Sequence, residues 1–215
     1  MLKLSYSNLP LECGTDEAGR GCLAGPVLAA SVVFSEILNT YDLEILNQIN
    51  DSKKINENKR HEVGAFIKQI VTSYAISIVE PAKIDKINIL NASILAMQES
   101  ILQLKVSPIY IIVDGNRFSE LSPLLSAKQI NPKEGLFQNI PYKTIVKGDA
   151  LYLSIAAASI LAKSYRDKYM EKIHEEYPMY NWKKNKGYPT KEHREAILKY
   201  GVTKYHRLSF RLLAK

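Results

Sequence analysis

The sequence predicts an α/β or α+β domain around a mixed β-sheet, and three observations carry that reading. Short apolar, β-branched segments alternate with longer ones whose apolar residues recur every three or four positions. The elements run in the order β, β, α, β, α, β, β, α, α. Acidic residues stand where predicted strands stop, which is where sheet-based sites gather groups from distant parts of a chain.

The elements follow in order. A short apolar segment leads to Asp16 as a first strand. Residues 27–34 (VLAASVVF) are nearly all apolar and form a buried strand. Asn56 can cap a helix whose apolar face is Val63, Phe66, Ile67, Ile70 and Val71. Residues 74–80 (YAISIVE) read as a strand closed by Pro81. Ile87, Leu90, Ile94, Met97, Ile101 and Leu104 form one helical stripe, too short for a coiled-coil seam. Residues 109–113 (IYIIV) form a strand buried on both faces, and residues 142–146 form another. A helix begins at Ala150, apolar all round at first and charged later, so its early part should be buried and residues 163–172 exposed. Residues 181–189 form a basic loop with Trp182 and Tyr188. Thr190 can cap a last helix that stops near Gly201.

Composition sets the bounds. The 215 residues are 46% hydrophobic, enough for one sizeable core and too much for a chain disordered by composition. The formal net charge of +7 favours an anionic partner, nucleic acid before membrane, although a solvated basic surface explains the charge equally well. Cys13 and Cys22 are too few for a disulfide framework and read as small apolar fillers in a reducing compartment. Residues 1–11 lack the apolar run of a signal peptide, and the longest apolar stretch, 150–162, is too short to span a bilayer. The expectation is a soluble, cytoplasmic protein, monomeric and without membrane association.

The most informative segment is Gly14-Thr15-Asp16-Glu17-Ala18-Gly19-Arg20-Gly21. Adjacent carboxylates are hard oxygen ligands suited to Mg²⁺ or Mn²⁺. The glycines let a ligand approach the backbone, and the arginine can meet a phosphate. Asp114 ends the IYIIV strand, and Asp149 lies between a strand and a helix. Taken singly, Asp114 could start a turn and Asp149 could cap a helix. Together, several carboxylates in one place need a counter-charge. Two divalent ions remove that conflict and suit phosphodiester cleavage. Side chains on a strand alternate faces, so Asp16 and Glu17 cannot both reach one ion from an extended segment; Asp16 is the better direct ligand. No zinc-ligand spacing and no phosphate-cradling loop occurs, and His61, His174, His193 and His206 read as surface or satisfied histidines.

These residues resemble a known family. The segment GTDEAGRGCLAGPVLAASVVF is similar to the signature of prokaryotic ribonuclease HII, the type 2 ribonucleases H. The resemblance continues through Asp51-Ser52-Lys53-Lys54, Val113-Asp114-Gly115-Asn116, Lys147-Gly148-Asp149-Ala150, the run from Ile155 to Lys163, Arg166-Asp167, Asn185-Lys186-Gly187-Tyr188 and His206-Arg207-Leu208-Ser209-Phe210. It departs at Cys22, where proline is usual, and at Pro189, where glycine is common. Only a short segment precedes Asp16, whereas type HIII enzymes usually carry an additional N-terminal domain, so HII fits better.

The resemblance implies a ribonuclease H-like fold: a mixed five-stranded sheet flanked by helices over residues 1–175, with a C-terminal helical extension over 176–215. It implies endonucleolytic cleavage of RNA in RNA–DNA hybrids and at single ribonucleotides in duplex DNA, with two Mn²⁺ or Mg²⁺ ions. By motif position the catalytic acids and metal ligands are Asp16, Glu17, Asp114 and Asp149. Gly19, Arg20 and Gly21 match the reader of the ribose 2′-hydroxyl, which is what separates RNA from DNA at one site. Tyr188, otherwise a loop anchor, matches the tyrosine that packs on the neighbouring deoxyribose. Lys53, Asn116, Lys147, Lys163 and Arg166 are candidate substrate contacts, with Lys183, Lys184 and Lys186 as further phosphate contacts or solvated surface. Two other readings remain at this point: a nucleic-acid-binding module without catalysis, and another two-metal enzyme on the same fold, such as a resolvase or integrase.

Overall fold

The computed structural model describes residues 2–34, 46, 49, 56–119 and 133–213. Strand β1 (Glu12–Ala18) pairs antiparallel with β2 (Val27–Val33), which pairs antiparallel with β3 (Ser73–Val79). On its other side β1 runs parallel to β4 (Tyr110–Asp114), and β4 runs parallel to β6 (Ile140–Ile145). A short edge strand, β5 (Glu134–Phe137), pairs antiparallel with β6. The sheet order is β3-β2-β1-β4-β6-β5. The mixed sheet is as expected, with six strands in place of five. The added strand β5 reads Glu-Gly-Leu-Phe, with no β-branched residue to mark it.

Helices cover both faces. Helix α1 (Glu57–Ile70) is capped as expected: the Asn56 side chain accepts from the Lys59 N–H at 2.9 Å. Helix α2 (Pro81–Leu102) starts on the proline that closes β3, since proline fits the first helical turn. It is interrupted at Asn88 (φ 64°, ψ 165°), whose side chain accepts from the Asn91 N–H and caps the restarted helix. Ile87, Ile94, Met97 and Ile101 of the predicted stripe are buried against Cys13, Val27, Ala29 and Val113. Helix α3 (Leu153–Glu176) and α1 cover the opposite face, over Ala30 and Val32. With helices on both sides, β2 is buried along its whole length.

Helix α3 lies directly on β1. A Cβ on Gly14 would stand 2.4 Å from the Ser154 backbone carbon, so only glycine allows this approach. The helix starts later than Ala150, because Gly148–Ala150 forms a separate 3₁₀ turn. Tyr152, not Asp149, is therefore the N-cap position.

The expected exposure of residues 163–172 is corrected. Ser164, Arg166, Asp167 and Met170 are buried, because the C-terminal segment folds back over that side of α3. There α4 (Trp182–Asn185) and α5 (Lys191–Tyr200) enclose a cluster of Leu23, Met170, Ile173, Tyr180, Trp182 and Ile197. Residues 181–189 are thus part helical turn, with Trp182 fully buried. Thr190 caps α5, which ends at Gly201 as expected. His193 is buried within this cluster and not on a helix surface; its Nε2 accepts from Trp182 Nε1–H at 2.9 Å. Both cysteines are buried free thiols. Among the described residues no helix is long and apolar enough to cross a membrane.

Candidate active site

The site forms where β1 and β4 end side by side. Thr15 is in register with Val113, so the residues that follow, Asp16 and Asp114, emerge together. The alternation of β1 separates its two acids. Asp16 turns toward α3 and Glu17 toward α2. A cavity of about 400 Å³ on the α3 side is lined by Asp16, Glu17 and Asp114 together with Gly19, Gly21 and Tyr188. A second cavity of about 390 Å³, on the α2 side, shares Glu17, Arg20 and Asp114 and adds Leu90, Asn116 and Arg117. Glu17 and Asp114 therefore stand on the ridge between two grooves.

The electrostatics are those of crowded acids. Asp16 is buried, and burial is the largest cause pushing its carboxyl well above the ordinary range; the charges of Glu17 and Asp114 add to it. The Glu17 N–H, at 2.7 Å, and the Ser159 hydroxyl donate to Asp16 and oppose the shift. Ser159 was not singled out from the sequence, although a hydroxyl within an alanine-rich helical run was the available signal. Burial, then the charges of Asp149 and Glu17, raise Asp114 to about 6, while the backbone N–H groups of Gly148 and Asp149 hold it down. The Gly148 N–H donates to Asp114 Oδ1 at 2.7 Å, so the 3₁₀ turn carrying Asp149 is fastened to the end of β4. Asp149 itself is buried beside Asp114.

Among the described residues no three His, Cys, Asp or Glu side chains already form a metal-binding group; Asp16, Glu17 and Asp114 line the grooves, whereas Asp149 is buried and lines neither. The donor set nonetheless fits hard divalent cations. It is all oxygen, and a cation is the partner that offsets both the burial that chiefly raises Asp16 and Asp114 and the repulsion that adds to it.

Beside the acids, Gly19 has φ +96°, a conformation natural to glycine, and the Arg166 side chain packs where a Cβ would stand. Arg20 is exposed and pairs with Glu17 at 3.2 Å. The sequence profile of one family, ribonuclease HII, matches residues 13–213. The chain belongs to the ribonuclease HII family. Ribonuclease HII of Flavobacterium psychrophilum is 55% identical over 222 residues, covering 99% of this chain and 96% of that one. The crystal structure of ribonuclease H2 from Pyrococcus horikoshii OT3 superposes with a TM-score of 0.69 at 26% identity, over 94% of each chain. Bst-RNase HIII in complex with Mn²⁺ shares the fold, with a TM-score of 0.64 at 18% identity over 96% of this chain and 69% of that one. Ribonuclease HII enzymes are metal-dependent endonucleases, type 2 ribonucleases H that act on RNA–DNA, and this chain is of that class.

The remaining candidate substrate contacts differ in setting. Lys163 and Lys184 line the α3-side groove, as does Tyr188, which is 46% exposed. Asn116 lines the α2-side groove. Lys147 and Lys183 are exposed. Lys53, with the Asp51–Lys54 motif, lies outside the described residues. Arg166 also lines the α3-side groove, but its guanidinium is engaged by the protein. It is buried, and all three guanidinium nitrogens donate to backbone carbonyls, those of Ala24, Pro26 and Lys186. Lys186 lines the same groove, with its Nζ 2.6 Å from Glu57 and 3.1 Å from Glu171.

Proposed function

We propose that this enzyme nicks duplexes on the 5′ side of a ribonucleotide, in hybrids and at single ribonucleotides within DNA, leaving 3′-hydroxyl and 5′-phosphate ends. The observation that carries the reading is the shared cavity. Asp16, Glu17 and Asp114 open onto the same groove as Gly19, Gly21 and Tyr188, so a strand held for cleavage also passes the groups that inspect its sugar.

Asp16 and Asp114, with Asp149 and Glu17, would hold two Mn²⁺ or Mg²⁺ ions. Such ions supply Lewis acidity toward the scissile phosphate and the attacking water. The protein's own groups do the placing. Ser159 fixes the Asp16 carboxylate from α3, and the Gly148 N–H fixes that of Asp114. Gly19, Arg20 and Gly21 bring backbone close to the 2′-hydroxyl, and Tyr188 offers its exposed ring to the adjacent deoxyribose. Lys163 and Lys184 contact phosphates along the α3-side groove, and Asn116 meets the strand in the other. Residues 1–175 act as the catalytic unit and 176–215 as the extension that presents Tyr188. A cytoplasmic monomer is the form that this reading assigns.

Cleavage mapping on duplex DNA carrying one ribonucleotide tests the reading. A single nick 5′ to that residue is expected with Mn²⁺ or Mg²⁺ and none with chelator. Cutting of the all-DNA duplex, or cleavage in chelator, would refute it.

A further inference from the structure

The loop over residues 19–26 carries the proposed ribose contact, and two buried arginines hold its backbone from behind. Arg207 is fully buried. Its Nη1 donates to the Arg20 carbonyl at 3.0 Å, its Nε to that of Gly25 at 2.9 Å and its Nη2 to that of Pro26 at 3.1 Å. Arg166 reaches the same loop from α3, donating through Nε to Pro26 at 3.1 Å and through Nη2 to Ala24 at 3.0 Å. Its Nη1 donates to the Lys186 carbonyl at 2.8 Å, next to the Gly187-Tyr188 pair. The Leu23 N–H closes the assembly by donating to the Gly187 carbonyl at 2.7 Å.

The bond to Arg20 has a directional consequence. The Arg20–Gly21 peptide is trans, so its C=O and N–H point to opposite sides of the chain. Arg207 draws the carbonyl inward, which turns the Gly21 N–H away from the core. Gly21 lines the groove there, and a Cβ on it would meet Tyr188 Cε1 at 4.0 Å and nothing nearer. A planar fork suits three carbonyls in fixed directions, whereas a lysine is a point charge on a flexible stem. Burying a cation against carbonyls is also a poor way simply to stabilise a loop, since apolar packing commonly does as well or better.

We propose that Arg207 is a positioning residue for ribose recognition: it orients the Arg20–Gly21 peptide so that the Gly21 N–H is presented to the ribose 2′-oxygen, while Arg166 fixes the spacing between that peptide and Tyr188. The inference rests on the reading that residues 19–21 meet the ribose. It adds that the decisive orientation is imposed by a residue far away in sequence.

The test crosses enzyme with substrate. Wild type and Arg207→Lys are assayed, well below their melting temperatures, on duplex DNA with one ribonucleotide and on the same duplex with a 2′-fluoro sugar there. Losing the 2′-hydroxyl should slow wild type by at least ~10-fold and the variant by less than about 3-fold, because its contact is already misplaced. On the ribonucleotide substrate kcat should fall roughly 10- to 100-fold with KM within about 3-fold, and Mn²⁺ affinity measured by calorimetry should not change. An equal 2′-fluoro effect in both proteins overturns the role of Arg207. A wild type indifferent to 2′-fluoro overturns the ribose reading itself. If Arg207→Lys does not fold, ¹⁵N relaxation on wild type decides: the Gly21 amide should be as rigid as a strand, with an order parameter of about 0.85, and a value below about 0.6 overturns the proposal.

Discussion

Asp114 concentrates the conflict between stability and chemistry. Its carboxyl titrates at about 6 instead of 3.8 because burial, Asp149 and Glu17 all oppose its charge. A raised carboxyl favours the fold fully below its ordinary pKa, and that contribution is lost as pH rises through the folded value. At neutral pH the metal-free protein therefore bears the whole repulsion. Asp114→Asn should raise the melting temperature in chelator at pH 7.5 by a few degrees and remove most of the stabilisation that Mn²⁺ gives wild type. It should also lower cleavage at least ~10³-fold while leaving duplex binding within about 3-fold. Thermal melts with and without Mn²⁺, beside a cleavage assay, check both. An active Asp114→Asn enzyme would sink the assignment of the acids. Asp16, Glu17 and Asp114 were legible as candidates because they stand near strand ends, where the fold's own stability does not ask for charge; Asp149 sits instead in a 3₁₀ turn. Arg207 was not legible as a contact to residues 20–26: its partners are backbone carbonyls, which leave no mark in a sequence.

At the scale of elements, local pattern carried the helix caps at Asn56 and Thr190 and the apolar stripe of α2. It failed where tertiary packing overrides polarity. The second half of α3 reads as a charged, solvated surface, yet Arg166 and Asp167 are buried because the C-terminal segment covers them. The break at Asn88 was also invisible, since asparagine tolerates positive φ without announcing it. One buried pair ties α1 to α3: Arg60 Nη1 lies 2.5 Å from Asp167 Oδ2, with both side chains under one-tenth exposed. Burial raises Asp167 more than Arg60 lowers it, so desolvation outweighs attraction there. Arg60→Met alone should cost about 3–5 kcal/mol by stranding the carboxylate, whereas Arg60→Met with Asp167→Leu should be close to neutral. Denaturant melts of the two variants decide, and a double mutant no better than the single refutes the account. In the C-terminal cluster, burial, then the neighbouring His193, pulls His206 down to about 4. A lowered histidine supports the fold above its ordinary 6.5 and withdraws that support as pH falls through the folded value. The His206 ring protons should thus show no titration by NMR between pH 8 and 5; a midpoint near 6.5 would contradict its placement.

The whole molecule has to steer an anionic duplex toward a ridge of acids, and its net charge of +7 says little about how. Much of the conspicuous positive charge is directed inward. Arg166 and Arg207 are buried on carbonyls, and Lys186 is tied to Glu57 and Glu171. Lys163, Lys184 and Lys186 all line the groove, of which Lys186 is held by two carboxylates, and Arg20 lines it paired with Glu17. Each lysine that neutralises a phosphate releases counterions, and the salt dependence of binding counts such contacts at about 0.9 per phosphate on duplex DNA. The structure therefore separates lysines that look alike in sequence. In an Asp114→Asn background, which should prevent cleavage, Lys184→Ala should reduce the slope of log affinity against log salt by about one. It should weaken binding equally for ribonucleotide-containing and all-DNA duplexes, because a phosphate contact carries no information about the sugar. Lys186→Ala should leave the slope unchanged and act instead through the Tyr188 loop, lowering cleavage at a single ribonucleotide more than affinity. Fluorescence anisotropy across a salt series measures both slopes. Equal slope changes in the two variants would show that Lys186 leaves its carboxylates for the substrate, and the division between steering and scaffold charges drawn from this fold would fail.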